Sequence, residues 1–146
     1  MSGSAGSYLR GVVPGGYPKL LTFAKGATTS LVVPTGRIYY LAWLAAYFNT
    51  DATAATREFR IGILLLNTAN QYLLTQTGVT ASLNRGYSYG IVSAGGATEP
   101  PQLANGTGKL LPIFAGQTLR VTLVNEQAGD AWAVEGVYYD TYGIAG

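Results

Sequence analysis

The chain has 146 residues, a formal charge of +2, no cysteine and no histidine. Disulfides and cysteine-ligated metals are excluded, and the usual general base near neutral pH is missing. Charged residues make up only 11% and apolar residues 48%, against about 25% charged in an ordinary soluble domain. With so little polar covering, part of the surface is expected to be shielded by other subunits.

Residues 1–16 are rich in Gly and Ser and end in Val12-Val13-Pro14-Gly15-Gly16. They are expected to form a flexible arm, ahead of one domain over residues 17–146. Leu20–Ala24 and Ser30–Val33 are short apolar runs; the second stops at Pro34-Thr35-Gly36, where proline fixes φ and glycine permits a positive one. Ile38–Phe48 is a long strand candidate, its aromatic residues outweighing its alanines.

A small-residue loop at 49–56 leads to Glu58–Leu66. There Phe59, Ile61 and Ile63 alternate with Glu58, Arg60 and Gly62, the period-2 pattern of a half-buried strand. Asn67–Asn70 turns it into Gln71–Thr75 as a hairpin. Val79–Leu83 and Tyr87–Ser93 follow as strands either side of a turn at Asn84-Arg85-Gly86. Residues 94–108 form the longest loop, a length usually tied to function or a partner. Lys109–Phe114, Thr118–Val124 and Ala131–Tyr139 complete the set. Eight or nine strands at near-regular spacing predict an all-β fold, an antiparallel β-sandwich of jelly-roll type, with an immunoglobulin-like sandwich as the next choice.

The residues that could carry chemistry are thinly spread. A nucleophile needs an adjacent base; Lys19, Lys25 and Lys109 lack a neighbouring serine motif, and Ser93 lacks the first glycine of a nucleophile elbow. The carboxylates Asp51, Glu58, Glu99, Glu126, Asp130, Glu135 and Asp140 could in principle cleave glycosides in pairs, but they read as surface charges and ion-pair partners. Glu135 is expected to face Arg120 across a ladder. Asn125, Glu126 and Asp130 offer oxygen ligands without calcium-loop spacing. Asn105-Gly106-Thr107 reads as a glycine turn, and Gly106–Lys109 lacks the upstream glycine of a phosphate loop.

No catalytic, cofactor or metal site is therefore expected. The nine basic residues do not cluster, so no nucleic-acid partner is expected either. No basic stretch leads into an apolar core at the start, and Ile38–Phe48 is too short to cross a bilayer. Assembly in a cytoplasm without a membrane partner is the expectation. The eleven tyrosines suit sheet cores and subunit contacts, and could also stack on sugars.

Three segments carry a resemblance. Val32–Leu41 is similar to a Pro-x-Gly, aromatic, Leu entry to a long strand; Ala54–Ile61 to a small-residue loop and Arg opening the next; Leu111–Val121 to a Leu-Pro, apolar, Gly-x-x-Leu-Arg hairpin. In this order, over residues 32–139, they resemble small tailed-bacteriophage virion proteins of jelly-roll-like fold. The resemblance implies a capsid decoration (cement) protein. Such a protein would be a homotrimer on the capsid surface, bound to the major capsid protein and bridging neighbouring capsomers. Residues 1–16 and 94–108 would make the capsid contacts. The alternatives are a tail-fibre or spike module that binds cell-surface glycans, a small carbohydrate-active enzyme, and a major capsid subunit.

Overall fold

The structure, a computed structural model, describes residues 16–89 and 110–142. The expected arm, save Gly16, and the loop at 94–108 lie outside them. Among the described residues there is no helix, and nine strands form: β1 (Tyr17–Ala24), β2 (Ser30–Val32), β3 (Arg37–Asn49), β4 (Arg57–Leu64), β5 (Asn70–Val79), β6 (Asn84–Tyr89), β7 (Leu111–Phe114), β8 (Thr118–Val124) and β9 (Ala131–Tyr142).

The pairings nest around the turn after β4. β4 pairs β5, β3 pairs β6, β2 pairs β8 and β1 pairs β9, all antiparallel, as in one long hairpin. The hairpin is rolled up, so that β9 also pairs β3 and β8 also pairs β4. Sheet A then runs β1-β9-β3-β6, with β7 continuing the β6 edge along β3, and sheet B runs β2-β8-β4-β5. This is the jelly roll that the strand count predicted.

The core lies between the two sheets. Phe59 and Ile61 of β4 are fully buried, as the alternation required. The Phe59 ring stacks on Phe48 at 5.2 Å and Tyr87 at 5.9 Å, and meets the edge of Trp132 at 6.0 Å. In β3 the alternation is reset by a bulge: Leu41 faces Tyr138 and Trp43 faces Val137, leaving Ala42 as the extra residue. Leu41 and Leu44, three positions apart, therefore both reach full burial. Gly136 sits opposite Leu44, and a Cβ there would strike the Trp43 carbonyl oxygen. Glycine is what lets the bulge close.

Three expectations need correction. Val79–Leu83 is not a strand. β5 itself runs to Val79 through a bulge with Gly78 at φ +70°, and the chain then turns, with Ser82 at φ 57°. Asn84-Arg85-Gly86 is not a turn but the start of β6, where Gly86 lies opposite Tyr47. Glu135 does not face Arg120. Glu135 belongs to sheet A, opposite Thr22 and Ala45, while Arg120 belongs to sheet B, opposite Ser30 and Gly62.

Candidate assembly interface

A sandwich strand buries alternate residues and turns the others to the outside. The registers of sheet A fix which residues those are. One outer row reads Leu20, Val137, Trp43; the next Pro18, Tyr139, Tyr40, Pro112; the next Thr141, Ile38, Phe114. Leu20 is 82% exposed, Phe114 49% and, farther along β3, Tyr47 46%. Glu135 is the charged residue placed on this face, in the row beyond Val137, and it makes no ion pair with a described residue. Antiparallel sheets that face water carry polar residues on their outer side. The three rows above are mainly aliphatic and aromatic instead, with Thr141 in the third and Thr22, Glu135 and Ser88 in the row beyond Val137.

Sheet B follows the usual rule. Glu58 and Arg60 pair at 2.5 Å on its outer side, with Thr122 and Thr75 beside Arg60 in register. The Arg60 guanidinium lies 5.2 Å from the Tyr72 ring, and Arg120 donates to Asn70 at 2.9 Å. The contrast between the two outer faces was present in the sequence as near-continuous apolar runs in β3 and β9. Such runs signal strands covered on both sides. What the sequence did not show is that the two runs lie side by side.

Asp51, Glu58, Glu126, Asp130 and Asp140, five of the carboxylates considered for chemistry, are engaged in ion pairs or hydrogen bonds. At one end of the sandwich the buried Arg57 side chain donates to Asp130 at 3.0 Å, Asp51 at 2.8 Å and the Ala55 carbonyl at 2.9 Å. Backbone N–H groups of Asp51 and Gln127 also donate to Asp130. Burial alone would raise the Asp130 pKa. The Arg57 and backbone hydrogen bonds outweigh it and hold the carboxyl below its ordinary value. A carboxylate kept ionised this way is a poor proton donor. Lys25 caps the same end, donating to the carbonyls of Gln127, Ala128 and Asp130, while Glu126 accepts from Trp132 at 2.9 Å.

At the other end, Asp140 of β9 accepts from Lys19 of β1 at 2.8 Å and Arg37 of β3 at 2.8 Å. Burial opposes its ionisation here too, and the two cations together lower its pKa. The Tyr39 and Tyr138 rings lie 4.7 Å apart, tilted at 35° to each other. Glu99, Ser93, Lys109 and the segment 105–109 lie outside the described residues.

No family model and no curated protein matches this chain. One similar solved structure is the "Structure of infectious bursal disease virus Gx strain", at 13% identity and a TM-score of 0.24. The alignment covers 86% of this chain but 41% of that one, so this chain spans less than half its length. A superposition that loose carries no argument about function.

Proposed function

We propose that this chain is a structural protein of a virus particle, a decoration protein of a bacteriophage head, that works by being packed against other proteins rather than by catalysis. The observation that carries the reading is the outer face of sheet A, too apolar to stand in water. Jelly rolls serve capsid shells, lectins and cupins alike, so the fold does not choose among them. The apolar face, on which Leu20, Phe114 and Tyr47 are exposed, favours an assembly, and the resemblance of residues 32–139 to phage virion proteins favours a virion.

The mechanism is mechanical. Like copies associate, the sandwich sits on the capsid surface, and residues 1–16 and 94–108 reach the major capsid protein. Once one contact forms, the others form at high effective concentration, so weak contacts add to firm attachment across neighbouring capsomers. The direct test is quantitative mass spectrometry with immunogold labelling of particles from the virus that encodes the chain. Many copies per head are expected; absence from particles, or label confined to tails, would refute the proposal.

A second reading has one observation in its favour. Tyr17 and Tyr142 are 64% and 72% exposed, and Arg37 lies over the Tyr142 ring at 4.1 Å. Exposed rings beside hydrogen-bond donors suit sugar binding in a tail-fibre or spike module. Specific binding on a glycan array, abolished by Tyr142→Ala, would favour it.

A further inference from the structure

We infer that the outer face of sheet A is the contact between copies of this chain, and not the surface that meets the shell. The inference rests on the assembly reading above and adds the occupant of the face.

The chemistry of the two available partners decides it. The outside of an assembled shell is in water before anything docks on it, so it is largely polar. A polar surface leaves Leu20, Tyr40, Trp43, Val137, Tyr139 and Phe114 poorly matched. A second copy, made at the same time, presents the same sparsely charged face and loses the same unfavourable exposure on contact.

Charge placement agrees. Glu135 is the one charged side chain of the described residues that the registers place on this face, in the row between Trp43 and Tyr47. Two such faces meet without a row of like charges between them. The ion-paired cations lie elsewhere: Lys19 and Arg37 with Asp140 at one end, Lys25 and Arg57 at the other, and Arg60 on sheet B.

Size agrees as well. The 13 residues of β3 set the length of the face. At ~3.3 Å per residue, and ~4.8 Å for each of four strand widths, its footprint is roughly 800 Å². That is about what one partner contributes to a stable protein interface. Sheet B, with its ion pair and threonines, is then the side left for water and for polar neighbours.

The test uses the purified full chain with no capsid present, by sedimentation velocity and native mass spectrometry. The wild type is expected as a multimer. Val137→Lys should raise its dissociation constant at least about tenfold, as truncating or charging a central contact does. Leu20→Lys, at a side chain already 82% exposed, should weaken association in the same direction without touching the core; it keeps the test decisive if Val137→Lys does not fold. Thr122→Lys on sheet B should leave association unchanged. A monomeric wild type at high concentration, or multimers indifferent to both sheet A variants, would overturn the inference. Copies counted on heads report separately on the virion reading, so one can fail while the other stands.

Discussion

The Arg57 and Asp130 side chains both have no exposed surface, and Arg57 is satisfied by Asp51, Asp130 and a carbonyl. Removing the cation would leave Asp130 buried and unpaired. Arg57→Met is expected to cost about 3–5 kcal/mol of stability in urea denaturation, the penalty of breaking a buried pair from one side. The same pairs set an acid limit. Asp130 and Asp140 have folded pKa values below their unfolded ones, so their contribution is complete above the unfolded value of about 4 and is lost as pH falls toward the folded values. Melting temperature should drop on acidification below about pH 4, and Asp130→Asn should flatten that slope while lowering stability at neutral pH. None of this was legible in the sequence. Asp130 lies 73 positions from Arg57, and no local pattern links them.

Strands were legible where one face is buried and the other is not. The alternation in β4 located its inward residues correctly, because Phe59, Ile61 and Ile63 meet sheet A while Glu58 and Arg60 meet water. Legibility failed where the backbone departs from regular pairing. The bulge at Ala42 shifts the phase of β3, and the bulge before Val79 lengthens β5 into what read as a separate strand. Asn84-Arg85-Gly86 carries turn residues, yet all three pair with β3 in a regular ladder, Gly86 with Tyr47. Deleting Ala42 gives a direct test. Removing the extra residue would make Leu41–Tyr138 and Trp43–Val137 consecutive pairs of a regular ladder, with Leu44, Ala46 and Phe48 still facing inward. The deletion variant is expected to keep a cooperative unfolding transition by circular dichroism; loss of that transition would show that Ala42 is not the residue the ladder leaves over.

At the scale of the whole molecule, low charge predicts association but names no face for it. The rolled topology answers that by setting β9 between β1 and β3, so that apolar residues far apart in the chain share one outer face. The chain has two tryptophans, Trp43 on that face and Trp132 in the core, so the face carries its own reporter. With Trp132→Phe, which keeps an aromatic ring against Phe59, Trp43 alone emits. Acrylamide quenching of Trp43 across a dilution series should be weak in concentrated solution and rise, with a red shift, as the protein is diluted. Strong quenching unchanged at every concentration would contradict the account.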